Sequence, residues 1–119
     1  MPEHPGGEIS EAIREYERAV AEAARQGQTD GSLAISITRY FIGNLYLIAD
    51  DPPAALAAIA PSIARRPDNQ PLLRSIEAES YWRLGQKERA RASAETSLSE
   101  SRSETQRHQL AVRLAHILE

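Results

Sequence analysis

The feature that most constrains this chain is a pattern of small and aromatic residues that recurs after 35 positions. The recurring pairs are Gly43 and Ala78, Tyr46 and Tyr81, and Ala55 and Ala90. Repetition at an interval of this size is typical of proteins that stack one supersecondary unit on the next, because each unit alone leaves a hydrophobic face uncovered. The chain is therefore expected to fold as a short array of stacked units.

Helical periodicity fills almost the whole sequence, and no segment shows the sustained alternation of a strand. The spacing of apolar residues predicts six helices, over residues 8–26, 32–49, 52–65, 71–84, 87–101 and 104–118. Pro61 lies inside the third helix and should kink it or end it early, because proline lacks a backbone N–H. The loops are short, so neighbouring helices are expected to run antiparallel.

The repeated residues resemble the tetratricopeptide repeat (TPR) pattern, in which a small residue and a tyrosine on one helix pack against an alanine on the next. The first full unit matches at Ile42, Gly43, Tyr46, Ala55, Ile59, Ile63 and Pro67, and the second at Ala78, Tyr81, Gly85, Ala90, Ala94 and Leu98. The resemblance implies an all-α, right-handed superhelix of about six antiparallel helices, with two full repeats flanked by half repeats. This TPR-like domain would span residues 8–119, after a flexible tail over residues 1–7.

Several positions depart from the family pattern: Arg39 and Tyr40 replace its usual tryptophan, Arg102 replaces its closing proline, and Pro61 is unusual. Glu77 stands where TPR proteins have a buried leucine. We expect that the second unit slips by one residue there and that Ile76 takes the core position.

Composition excludes several classes of protein. The chain has no cysteine, so it forms no disulfide framework and no thiolate metal site. Its net charge of −3 argues against nucleic acid as the main partner, since nucleic-acid binders usually carry a basic excess. No apolar run is long enough to span a membrane, and the N-terminus lacks the features of a signal peptide. A soluble cytoplasmic domain without membrane contact is the expectation.

No motif in the sequence indicates catalysis. His108 and His116 lie eight residues apart on the last helix, too far to share one metal ion, and His4 lies in the predicted tail. Glu104 is placed to pair with His108 on the helix surface. The sequence contains no zinc-protease motif, glycine-rich phosphate loop or nucleophile elbow. We therefore expect neither an enzyme nor a cofactor.

The resemblance to TPR proteins also implies a concave binding groove lined by the first helix of each unit. The candidate partner-binding residues are Tyr40, Phe41, Asn44, Glu79, Trp82, Arg83 and Arg113. Asn44 matches a groove asparagine that contacts bound peptides in many relatives, whereas the basic residues of the chaperone-tail clamp are not matched. Phe41, Leu47 and Ile48 fit either the groove or the core, because a helix that is apolar all round is usually buried. Trp82 fits either a contact site or packing against the last helix.

The leading hypothesis is a non-enzymatic module that binds a protein or peptide segment in this groove. Two alternatives remain open at this point. The apolar second helix and the incomplete terminal hairpins fit a homodimerisation domain, and the lone first and last helices fit a scaffold or sensor segment of a larger regulator.

Overall fold

The computed structural model describes residues 6–119, which form six α-helices and no strand. The helices are α1 (Gly6–Arg25), α2 (Leu33–Ile48), α3 (Pro52–Ala64), α4 (Gln70–Arg83), α5 (Lys87–Ser99) and α6 (Glu104–Leu118). The predicted all-helical class is confirmed, and each predicted boundary lies within two residues of the observed one. Of the predicted tail, residues 1–5, which include His4, lie outside the described residues, and Gly6 and Gly7 are the first two residues of α1.

Side-chain caps set the starts of three helices. Ser32 Oγ accepts a hydrogen bond from the Ile35 amide, Asp51 Oδ1 accepts one from Ala54, and Ser103 Oγ accepts one from Gln106. These caps satisfy N–H groups that have no partner within the first turn of a helix. Gly27 and Gly85, each two residues after the last residue of α1 or α4, adopt left-handed φ angles of 92° and 79°. Glycine adopts this conformation without steric cost, and it closes both helices where the sequence predicted.

Helix α3 continues through Pro61 to Ala64. The helix end predicted near residue 65 is therefore confirmed, and Pro61 does not end the helix early. Proline at position 61 leaves the Ala57 carbonyl without its helical donor, but Ala57 is exposed, so water can serve that carbonyl. The neighbouring Ala58 carbonyl accepts a hydrogen bond from Arg39 Nη1 at 3.2 Å, which ties this part of α3 to α2.

Each helix packs against the next one along the chain, and α4 also contacts both α2 and α6. Among residues 6–119, α1, α3 and α5 do not contact one another. The even-numbered helices therefore form a contiguous row, and the odd-numbered helices lie separately along it. The molecule measures 42 × 38 × 24 Å, and its smallest dimension fits two layers of helices about 10–12 Å thick.

Small residues allow the helices of the core to approach closely. Ala55, Ala78 and Ala90 are fully buried, as the repeat pattern predicted. A Cβ atom built on Gly43 would lie 2.9 Å from Ile76 Cγ2 and 3.0 Å from Ile59 Cγ2. Gly43 is thus the point where α2 meets α3 and α4 at once, and only a hydrogen atom fits there without a shift of its neighbours.

Ile76 and Glu77 are neighbours on α4, and the structure places only Ile76 in the hydrophobic core. Ile76 is fully buried in the hydrophobic cluster shared by α2, α3 and α4. The Glu77 side chain is 15% exposed, pairs with Arg74 Nη1 at 2.8 Å and accepts a hydrogen bond from Ser93 Oγ at 2.7 Å. The apolar position is therefore filled by Ile76, and the carboxylate beside it is compensated by a cation and a hydroxyl group.

Candidate functional site

The contiguous row of even-numbered helices carries all seven of the predicted partner-binding residues. Tyr40, Phe41 and Asn44 lie on α2, Glu79, Trp82 and Arg83 on α4, and Arg113 on α6. We call the surface formed by these side chains the even-helix face. Hydrogen bonds divide it into two parts, one centred on Arg113 and one on Arg83.

Arg113 bridges α6 and α2, although these two helices do not pack against each other. Its Nη1 donates to the Tyr40 hydroxyl at 2.9 Å, and its Nη2 donates to Asn44 Oδ1 at 2.7 Å. The guanidinium carbon lies 5.9 Å from the centre of the Tyr40 ring, a distance at which a cation is attracted to an aromatic face. Two neutral acceptors thus fix the orientation of this half-buried cation.

No carboxylate in residues 6–119 lies within ion-pair distance of Arg113. A guanidinium carries a positive charge, and a half-buried charge is favoured by a counter-charge. Tyr40 and Asn44 supply hydrogen-bond acceptors but no negative charge. The Arg113 guanidinium is therefore held in a fixed orientation, and no carboxylate of residues 6–119 neutralises its positive charge.

A cleft of about 380 Å³ opens beside Arg113. Its lining residues are Tyr40, Leu72, Ser103, Thr105, Gln106, Gln109, Leu110 and Arg113. Leu72 and Leu110 supply an apolar part, and the other side chains offer hydroxyl, amide and guanidinium groups. A cleft that combines apolar contact with a few oriented polar groups suits a side chain or a short segment of another molecule.

Arg83 lies in a different electrostatic setting on α4. Its Nε donates to Glu79 Oε2 at 2.9 Å, and its Nη1 donates to the Leu47 carbonyl and lies 3.8 Å from Asp50 Oδ1. The other oxygen of Glu79 lies 2.7 Å from His116 Nε2, so Glu79 joins α4 to α6. Both charged groups of this part of the face already have partners within the chain.

Trp82 packs against the last helix. The indole is half-buried beside the cluster of α4, α5 and α6, and it meets the His116 ring edge-on at a centroid distance of 5.6 Å. Lys87 Nζ lies 5.3 Å from the centre of the same ring. Of the two roles left open by the sequence, packing against α6 is therefore observed through the contact with His116.

The apolar residues of α2 separate into core and surface. Leu47 is 3% exposed and belongs to the core. Phe41 is 42% exposed and stacks on Tyr16 of α1 at a centroid distance of 5.7 Å, and Ile48 is 68% exposed. Only one of the three residues considered for the core is therefore buried there.

The rest of the described chain offers little chemistry. Burial raises the pKa of Tyr46 above its ordinary value of 10.0, and the nearby charges of Glu17 and Asp51 raise it further. Within residues 6–119, no cluster of three His, Asp or Glu side chains could hold a metal ion.

The pairing of His108 with Glu104 that the sequence suggested is not observed. The other histidine of α6, His116, contacts Glu79. None of the six helices is both long and apolar enough to cross a bilayer.

The contacts that organise the even-helix face join residues 37, 69 and 73 positions apart. The sequence indicated Asn44, Glu79 and Arg113 individually but did not pair them, and it gave no role to the contact between His116 and Glu79. No protein-family model, curated protein or solved structure matches this chain. The similarity to TPR proteins thus rests on the residues quoted for it above.

Proposed function

We propose that this chain is a non-enzymatic protein-interaction module that binds a segment of a partner protein on the even-helix face. In this proposal Arg113 receives an acidic group of the partner, and the neighbouring cleft receives an adjacent side chain. The proposal includes a TPR-like, right-handed superhelical arrangement of the six helices. The contacts of α4 with both α2 and α6 support that arrangement, because TPR units stack through the first helix of each pair.

The observation that carries the proposal is the setting of Arg113. Its guanidinium is held by Tyr40 and Asn44 at the edge of a cleft and has no carboxylate partner in residues 6–119. A partner carboxylate would form charge-assisted hydrogen bonds there, and these are stronger than bonds to neutral acceptors. Because Tyr40 and Asn44 already restrict the side chain, little further conformational entropy is lost on binding.

Arg83 is a poorer candidate for the same role. Glu79 and Asp50 supply it with negative charge, and its Nη1 is engaged by the Leu47 carbonyl. A partner carboxylate at Arg83 would have to compete with Glu79. Replacement of Arg113 should therefore weaken the binding of an acidic partner more than replacement of Arg83 does.

A random peptide library displayed on phage tests the proposal. Immobilised wild-type protein is expected to enrich peptides that contain Asp or Glu, with binding that weakens as salt concentration rises. Arg113→Gln should abolish this enrichment. The control is Arg107→Gln, which removes an exposed arginine of the same helix that makes no side-chain hydrogen bond in the structure, and it should select the same peptides as the wild type. The proposal fails if Arg113→Gln selects the wild-type peptides, or if no peptide is selected.

A further inference from the structure

Exposed and half-buried side chains form a continuous seam along the full length of α2. The seam consists of Leu33, Ile37, Phe41, Asn44 and Ile48. Leu33 and Ile48, at its two ends, are 65% and 68% exposed, and Phe41 in the middle is 42% exposed. A helix of 16 residues is about 24 Å long, so the seam offers a contact of that length.

The spacing of the seam is that of a helix–helix contact. Its members follow one another at intervals of four, four, three and four residues. Such intervals keep side chains in line on one side of a helix, as at the a and d positions where two helices interlock. The same surface fits an extended chain less well, because alternate side chains of a strand point to opposite faces.

The helices of the described chain leave most of the seam uncovered. Helix α1 reaches it through Tyr16, whose ring stacks on Phe41. Helix α6 reaches it through Arg113, which binds Asn44 from the other side. The seam is therefore an apolar track with an uncompensated cation at one edge, next to Asn44.

We infer that the occupant of this seam is an amphipathic helix of a partner protein that carries a carboxylate beside its apolar stripe, in register with Arg113. The inference rests on the proposed function and narrows it from any acidic segment to a helical one. The apolar stripe of the partner would cover Leu33, Phe41 and Ile48, and its carboxylate would supply the negative charge that Tyr40 and Asn44 lack.

Asn44 adds a condition on the partner. Arg113 occupies its Oδ1 atom, and among residues 6–119 its amide nitrogen donates no hydrogen bond. A partner helix that buried this nitrogen without an acceptor would lose binding free energy. A polar residue opposite Asn44 would satisfy the nitrogen, in the way that a single asparagine in a helical interface fixes register.

Two phage-displayed libraries of about 20-residue peptides test the inference directly, since about 16 helical residues cover the seam. Both libraries carry Leu at a and d spacing and random residues elsewhere. The second library also carries proline at two central positions, which breaks a helix. We expect the wild-type protein to retain the first library at least about tenfold better than the second. We also expect the retained peptides to carry Asp or Glu at a position flanking the leucines.

Matched variants assign that retention to the seam. Ile48→Gln should reduce retention of the helical library about fivefold or more, and Val112→Gln should leave it unchanged. Ile48 and Val112 are 68% and 66% exposed, so neither change removes a core contact, and Val112 lies on α6 outside the seam. Arg113→Gln should remove the preference for Asp and Glu while the preference for helical peptides persists.

Three outcomes would overturn the inference. Equal retention of both libraries, while acidic peptides still require Arg113, would show an extended occupant and leave the proposed function standing. Retention that ignores both Ile48 and Arg113 would contradict the inference and the proposed function together. A dimer in light scattering that Ile48→Gln dissociates, without any peptide competing for it, would show that a second copy of the chain covers the seam.

Discussion

The two segments that carry the pattern with a 35-residue interval, which we call the first and second repeats, present different chemistry on the even-helix face. Positions 35 residues apart are equivalent, so Asn44 of α2 corresponds to Glu79 of α4, and Ile48 corresponds to Arg83. On α4 the two residues neutralise each other through an ion pair of 2.9 Å. On α2 they are an amide and an exposed apolar side chain, and Arg113 finds no carboxylate there.

This difference separates a closed surface from an open one. Glu79 contacts His116 of α6 and forms an ion pair with Arg83 of its own helix, so its charge is already neutralised within the chain. Asn44 orients Arg113 without cancelling its charge, which leaves the cation for another molecule. The sequence predicts the same binding role for Arg83 and Arg113. In the structure Arg83 pairs with Glu79 and Asp50, whereas Arg113 has no counter-charge within residues 6–119. Five substitutions test the differences between the two repeats.

The largest effect is expected at the small residue of the first repeat. Gly43→Leu should lower the free energy of unfolding by about 3 kcal/mol, because even a Cβ atom lies within 3.0 Å of Ile59 and Ile76. Urea denaturation followed by circular dichroism measures the change. Gly7→Leu is the control, because a Cβ atom there meets nothing within 4 Å. Equal stability of the two variants would contradict the close approach at Gly43.

The difference between the two repeats should disappear if α2 carries a carboxylate at position 44, as α4 does at Glu79. Asn44→Asp places a carboxylate oxygen where the amide oxygen now lies, 2.7 Å from Arg113 Nη2. The new ion pair should lower the affinity for acidic peptides about tenfold, which corresponds to about 1.4 kcal/mol. Titration of a selected peptide by fluorescence anisotropy measures this change.

The reverse substitution serves as the counterpart. Glu79→Gln removes the carboxylate that neutralises Arg83, so the affinity for acidic peptides should stay the same or rise. If Asn44→Asp and Glu79→Gln weaken binding equally, the two parts of the face do not differ as described.

A smaller effect is expected from the other acceptor of Arg113. Tyr40→Phe removes the hydroxyl that accepts from Nη1 but keeps the ring beside the guanidinium. The side chain would then be held by Asn44 alone, and affinity for acidic peptides should fall about threefold to fivefold, or about 1 kcal/mol. The same anisotropy titration detects this, and unchanged affinity would show that Tyr40 does not orient Arg113 for binding.

The sequence was sufficient for the local features of this fold. Helix boundaries followed from caps, prolines and glycines, which act within a few residues, and the buried alanines followed from the repeat. The pairing of Arg113 with Tyr40 and Asn44 did not follow, because it joins residues about 70 positions apart whose meeting depends on how three helices stack. The sequence also left open whether Pro61 would kink α3 or end it early, because the cost of the lost hydrogen bond depends on the exposure of Ala57 in the folded chain.

The smallest expected effect concerns the tyrosine of the first repeat at high pH. Burial and the charges of Glu17 and Asp51 raise the pKa of Tyr46, so the folded chain keeps this phenol proton above pH 10, where the unfolded chain releases it. Because the unfolded state then binds fewer protons, stability falls as pH rises above 10. Tyr46→Phe should remove that part of the loss, whereas the equivalent change in the second repeat, Tyr81→Phe, should retain it. Urea denaturation at pH 8 and above pH 10 measures both, and a loss of stability as steep in Tyr46→Phe as in the wild type would show that the phenol ionises alike in both states.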